Sequence, residues 1–203
     1  MRCCLAFLLC FLLNTAPSSA DNPAAVASMQ RIVNEALSTA VTSDTSNVRA
    51  NFKSLILKDV DLDSVIKQLL VRPERLQAIE KAGLMNQLKD FVAWHLAGIY
   101  ASQITSGHDA KVTVLPHTTT EKDPVLDQTL DVVTTIIETA HYGKVNVDWY
   151  LSGGKIIDAK VEGKFRMSLT LKPQYVEMWN KAGGDPARFL ELLRTNLNAK
   201  QSS

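Results

Sequence analysis

Cysteine is nearly missing from this chain. Of its 203 residues only Cys3, Cys4 and Cys10 carry a thiol, and all lie near the start. Everything downstream is therefore without disulfides, Cys-based metal sites or Cys nucleophiles. An excess of one charge is missing too. Lys and Arg total 22 against 21 Asp and Glu, which leaves no basic field to hold nucleic acid. Glycine is sparse, and no glycine belongs to a Gly-x-Ser-x-Gly elbow or a phosphate loop. Long apolar runs are confined to Leu5–Leu13, too short to span a membrane as a permanent anchor.

That one run has its own meaning. Arg2 supplies a positive start, the apolar stretch follows, and Ser18-Ser19-Ala20 offers small residues for cleavage. Residues 1–20 read as a secretory signal peptide cleaved after Ala20, with a retained anchor as the alternative. The expectation is an exported, periplasmic domain over residues 21–203. Cleavage removes all three cysteines and Arg2, leaving 21 positive against 21 negative charges.

What remains is rich in apolar residues, 46% of the whole, and they recur at two periods. Helical spacing is carried by Val26 to Ala40, by Val48 to Ile56, by Val65 to Leu70 behind Asp61, and by a segment opened by Pro73 and stopped by Gly83. Leu84 to Ile104 is the longest amphipathic pattern, with Leu88, Phe91, His95, Leu96 and Tyr100 on one face. Gly107 is placed to end it.

Strand spacing follows. Lys111–Leu115 reads as a first strand stopped by Pro116, with a polar loop from His117 to Pro124. Leu130–Thr139 is rich in β-branched residues and reads as a second. Val145, Val147, Trp149 and Leu151 then alternate with Asn146, Asp148 and Tyr150, Ser152-Gly153-Gly154 makes a turn, and Ile157, Ala159 and Val161 share a face of the returning strand. Beyond Gly163 the chain reads as extended to Leu171. A helix from Pro173 follows, and another after Asp185-Pro186. Helices, a four-strand meander and further helices define an α+β fold: an antiparallel sheet covered on one face by helices.

Catalytic constellations are scarce. His95, His108, His117 and His141 are scattered without metal-ligand spacing, and His95 on an apolar helix face reads as a hydrogen-bonded core residue. Asp148 and Asp158 on neighbouring strands are the one acid pair suited to proton transfer, if burial raised a pKa. The plainer reading is an exposed sheet face.

The residues at the hairpin resemble those of the MlaC/toluene-tolerance family of periplasmic phospholipid-binding proteins. The likeness rests on Val147-Asp148-Trp149, on Asp158, on Glu162-Gly163, on the Tyr175–Trp179 segment and on Gly183-Gly184-Asp185. Upstream it extends to Ile99-Tyr100-Ala101 and Val60-Asp61-Leu62, about residues 29 to 198 in all. Two places depart from the family pattern: Lys164-Phe165 follows Glu162-Gly163, and the segment around Pro73 lacks a Trp-Arg run.

The resemblance implies an NTF2-like cupped sheet and a phospholipid held as cargo, with no other cofactor and no chemistry. It also implies partners: an inner-membrane ABC transporter complex with its substrate-binding component, and an outer-membrane lipoprotein. The expected pocket lining is Phe91, Leu96, Tyr100, Val132, Val147, Trp149, Ile157, Ala159 and Phe165. Apolar side chains of this kind serve a filled core equally well. The alternatives are an NTF2-like isomerase or hydrolase acting on a small hydrophobic substrate, and an envelope adaptor with a filled core. The Leu96/Tyr100 helix face is expected to meet the Val147/Trp149 strand face.

Overall fold

A computed structural model describes residues 21–42, 47–105, 110–139 and 143–199. The expected signal peptide, Gly107, His108 and His141 lie outside them. The order is α1 (Pro23–Thr42), α2 (Val48–Asp59), α3 (Leu62–Leu70), α4 (Pro73–Lys81), α5 (Met85–Thr105), β1 (Lys111–Asp123), β2 (Gln128–Thr139), β3 (Gly143–Ser152), β4 (Lys155–Val161), α6 (Met167–Lys181) and α7 (Pro186–Ala199). The four strands form one antiparallel sheet in sequence order. The fold is α+β.

Local chemistry sets most boundaries. Asp61 caps α3 by accepting from the Ser64 N–H at 3.2 Å, and Asp185 caps α7 by accepting from the Arg188 N–H at 2.8 Å. Pro73 and Pro186 occupy first-turn positions, where a missing N–H costs nothing. The β3–β4 turn is built from Gly153 and Gly154 at φ 55° and 77°, the left-handed pair a two-residue hairpin needs.

Two boundaries differ from the sequence reading. β1 does not stop at Pro116 but runs to Asp123, its register shifting between Val114 and Thr118. Pro116 sits in that irregularity on an edge strand, where a missing donor is tolerated. The expected polar loop is thus the outer half of a long strand. Likewise α6 begins at Met167, and Pro173 lies inside it. Ser168, in its first turn, is held by Asp158, a partner no local pattern reveals.

The helices do not share one face of the sheet. Residues paired across antiparallel strands project to the same side. Thr118, Val133, Trp149 and Ala159 therefore lie on one face, and α1 packs there, against β1 and β2. Its Ala25, Met29, Ile32 and Val33 form a core with Val133, Leu151 and Ile156. Asn22 pins the start of α1, donating to Asp131 at 2.9 Å and, through its backbone, to Thr118 at 2.8 Å.

α3 and α6 pack along the edge of β4. Val60 bridges Ile156 in parallel, and the Asp61 N–H donates to the Ile156 carbonyl at 2.8 Å, which covers an otherwise open edge. Gln68 of α3 donates to Asp123, and Ser168 of α6 to Asp158. Both acids belong to the face opposite α1, so the expectation of a single covered face gives way to helices on both faces of the sheet. The main core is helical and lies beside the sheet. It joins α2 to α7 through residues such as Phe52, Leu69, Leu88, Tyr175 and Phe189. Trp179 and Phe189 meet edge to face there at 5.2 Å.

Candidate functional site

The α1 side of the sheet is a stack of cross-strand tiers. Val112, Ile137 and Val145 form one, Val114, Thr135, Val147 and Val161 the next, then Thr118, Val133, Trp149 and Ala159. Coverage falls along the stack. In the third tier Thr118, Val133 and Ala159 are buried, Val133 within the α1 core. In the first, all three aliphatic residues are only half-buried. Trp149 is half-buried too, its indole N–H donating to the Thr135 hydroxyl at 2.9 Å. Val161, at the β4 end, is 46% exposed. Val112, Val114 and Trp149 pack against the α1 core yet stay partly exposed, so α1 covers this apolar face incompletely.

The expected pocket residues are dispersed. Val147, Trp149 and Ala159 stand together on this face. Val132 and Ile157 lie on the opposite one, in a small cluster with Leu130 and Tyr150. Ile157 is there because β4 carries an extra residue: Tyr150 pairs with Asp158 and Leu151 with Ile156, so the bulge turns Ile157 away from Ala159 and Val161. Phe91 and Leu96 belong to the helical core. Phe165 is 73% exposed at the β4–α6 turn. Tyr100 is on α5, but its side chain is outside the described residues.

α5 packs against α2, α3 and α7. The expected meeting of Leu96 with Val147 and Trp149 is therefore replaced by α1 packing over Trp149. Phe91 is instead at the floor of an open cleft on the outer side of α5, with Gln87, Asp90, Trp94 and Arg194. Arg49 of α2 closes on the same helix, its guanidinium 3.8 Å above the Trp94 ring and donating to the Trp94 carbonyl.

The two acids share the face opposite α1, on adjacent cross-strand pairs, but neither pairs with the other. Asp148 is opposite Val147 and Trp149, as the alternation requires, and accepts from the Thr134 hydroxyl at 2.7 Å. Its cross-strand partner is Lys160, while Asp158 faces Tyr150. Asp158 is not on an exposed face but buried. Burial raises its pKa above the usual carboxylate value, against the pull of hydrogen bonds from Ser168 and Ala159. Both oxygens are occupied: one accepts from the Ala159 and Ser168 N–H groups at 2.9 and 3.1 Å, the other from the Ser168 hydroxyl. This acid anchors the start of α6.

Beside it lies a polar cluster that sequence pattern did not reveal. Arg166 pairs with Asp123 and, at 2.8 Å, with Glu121, while its guanidinium stacks 3.9 Å from the Tyr150 ring. The Tyr150 hydroxyl donates to Glu121 at 2.9 Å. Burial, then the neighbouring Glu121, pushes that phenol up to about 12. Asp123 also accepts from Gln68 and from the Val125 and Leu126 N–H groups. The charged groups thus satisfy one another. The only signal in the sequence was the acid–basic–acid order of Glu121, Lys122 and Asp123, which ordinary surface strands share.

His95 is buried with Nδ1 2.9 Å from the Tyr175 hydroxyl, a core histidine as expected. His117 is exposed, 3.4 Å from Asp21. Among the described residues no three His, Cys, Asp or Glu side chains group as a metal site, and no helix is long and apolar enough to cross a membrane.

The fold and this face define an α+β chain with a partly covered apolar sheet. Compared with protein-family models and with curated proteins, the chain matches none.

Proposed function

We propose that the protein is a periplasmic phospholipid carrier of NTF2-like architecture, without chemistry of its own. It shuttles lipid between outer and inner membranes and so maintains lipid asymmetry in the outer membrane. Its partners in this reading are an outer-membrane lipoprotein and an inner-membrane ABC transporter complex with its substrate-binding component. One observation carries the reading. The Val112–Ile137–Val145 tier and Trp149 are apolar yet only half-buried, and Val161 is exposed, on the sheet face that α1 packs against. Acyl chains laid along that face complete its burial.

The energetics give such a carrier its purpose. At ~0.8 kcal/mol per buried CH₂, two acyl chains of about fifteen carbons represent over ~20 kcal/mol of exposure to water. A soluble cover removes most of that barrier, while the head group stays hydrated. The test is lipid extraction and mass spectrometry on natively purified protein. Diacyl phospholipid in near-stoichiometric amount is the expected result, and lipid-free protein from a lipid-containing host ends the reading.

A second reading, an isomerase or hydrolase acting on a small hydrophobic substrate, has one observation in its favour: a buried acid, Asp158, with a raised pKa. The three donors already on its oxygens weigh against it. Turnover abolished by Asp158→Asn or Asp148→Asn would reinstate it.

A further inference from the structure

The β4–α6 junction presents an apolar side chain that the fold holds out in water. Lys164 N–H donates to the Val161 carbonyl at 3.1 Å across Glu162 and Gly163, both left-handed at φ 51° and 63°. Lys160 then bridges Arg166 rather than Phe165, so Phe165 is an extra residue in the returning strand. Both sides of the junction are clamped. Glu162 exchanges its own N–H and carboxylate with the Asn146 carbonyl and N–H, and Arg166 is fixed on Glu121, Asp123 and Tyr150. A non-glycine residue in the left-handed region is strained, and the surrounding bonds sustain it.

Phe165 does not stand alone. Just after it, Leu169 and Pro173 lie four apart on α6 and so share a face. Leu169 is 52% exposed and Pro173 is exposed. Within the stripe itself the charge is of one sign. From Gly163 to Val176 the chain contains Lys164, Arg166 and Lys172 and no Asp or Glu. Arg166 is spent on the sheet, whereas Lys164 and Lys172 have no carboxylate partner among the described residues. Of the acids beside the stripe, Glu162 is held on the Asn146 N–H, and Glu177, four residues beyond Pro173, pairs with Lys181.

We propose that the Phe165–Leu169–Pro173 stripe, flanked by Lys164 and Lys172, docks the protein reversibly on an anionic phospholipid bilayer. Exposed Phe and Leu with lysines at their margin suit the boundary between head groups and acyl chains, the lysines meeting lipid phosphates while the ring enters the apolar layer. The inference goes beyond the carrier reading and does not depend on it, since it concerns an outer surface rather than the face under α1.

The test is flotation with vesicles of phosphatidylcholine alone and of phosphatidylcholine mixed equally with phosphatidylglycerol. The wild type is expected to partition roughly ten-fold more strongly onto the phosphatidylglycerol vesicles, less so as salt rises. Phe165→Asp/Leu169→Asp is expected to lose roughly ten-fold in partitioning, and Lys164→Glu/Lys172→Glu to lose the preference for anionic vesicles. Phe165→Trp supplies a readout that tolerates no folding ambiguity: brominated phosphatidylglycerol is expected to quench it beyond the wild type's own tryptophans. Wild type that stays with neither vesicle, or a Phe165→Asp/Leu169→Asp variant that floats like wild type, overturns the proposal. So does a wild-type dimer in sedimentation that this variant dissolves, because the stripe then serves self-association. Lipid extracted from the same preparation separates the two readings. Protein that carries phospholipid but does not float overturns docking alone, and protein that floats without cargo overturns the carrier alone.

Discussion

Ser168 donates both its backbone N–H and its hydroxyl to Asp158, so a strand acid caps the helix that follows it in the chain. The first turn of any helix has N–H groups with no partner inside the helix. Here the partner is ten positions upstream, on the bulged edge strand. This contact explains why α6 begins before Pro173, and it makes Asp158 a stability determinant with a defined pH signature.

Asp158→Ala should destabilise the fold by about 1–3 kcal/mol, because two buried donors of Ser168 lose their acceptor. Asp158→Asn keeps one acceptor and removes the buried charge. Burial raises the pKa of the folded state, so between the unfolded value and the raised one the folded chain binds more protons. Wild-type stability then falls as pH rises through that window, having been fully present below it. Thermal melts from about pH 3 to 7 should therefore show the asparagine variant gaining on wild type as pH increases. A constant difference across that range would refute the assignment.

Arg166 has the opposite character, a charge whose removal strands another. Its side chain is 11% exposed and that of Asp123 only 2%. Arg166→Met should cost roughly 3–5 kcal/mol, since a buried carboxylate loses its counter-charge. Arg166→Met/Asp123→Asn should recover a large part of that loss, as the asparagine still accepts from the β1–β2 turn. Urea melts of the two singles and the double close the cycle, and strict additivity would deny the coupling.

At the β3–β4 turn, two adjacent glycines should behave differently. A Cβ on Gly153 meets nothing within 4 Å, whereas one on Gly154 lies 2.9 Å from the Ser28 hydroxyl of α1. Both are left-handed, so each alanine carries a backbone cost of about 1 kcal/mol. Gly154→Ala should cost slightly more than Gly153→Ala, because the Ser28 hydroxyl must rotate away, and Ser28→Ala, which keeps helix propensity in α1, should relieve that excess. Equal melting temperatures for the two single variants would mean α1 does not approach the turn so closely.

Much of this fold was legible because its signals are local. Asp61, Pro73, Asp185-Pro186 and Gly153-Gly154 each act within a few residues, and each marks the boundary expected of it. The errors all come from long-range partners. Pro116 ended the first strand on paper, but an edge strand with a register shift absorbs it. Period-two counting put Ile157 beside Ala159, and one extra residue in β4 reversed it. The apolar stripe of α5 named Phe91 and Leu96 correctly as buried, yet said nothing of which layer buries them. Burial pattern alone does not distinguish a helix on a sheet from a helix among helices. Val147, Trp149 and Ala159 came together because no bulge intervenes between them.

Those three residues carry the last prediction. Ala159 is buried on the α1 side, paired with Trp149, one tier from the half-covered Val161. If acyl chains occupy the space along this face, a larger side chain there competes with lipid rather than with packed protein. Ala159→Trp should then stay folded, with a melting temperature close to that of lipid-free wild type, and lose its co-purifying phospholipid. A close-packed face responds otherwise, because overpacking costs typically ~1–3 kcal/mol and forces neighbouring side chains off their rotamers. Val133→Trp is the internal control. Val133 lies in the same tier but fully beneath Met29 and Ile32, so it should be destabilised whether or not lipid binds. Two variants equally destabilised, with no lipid in the wild type, would mean the whole face is core. A stable, lipid-free Ala159→Trp beside an unstable Val133→Trp puts the cargo where α1 leaves the face open.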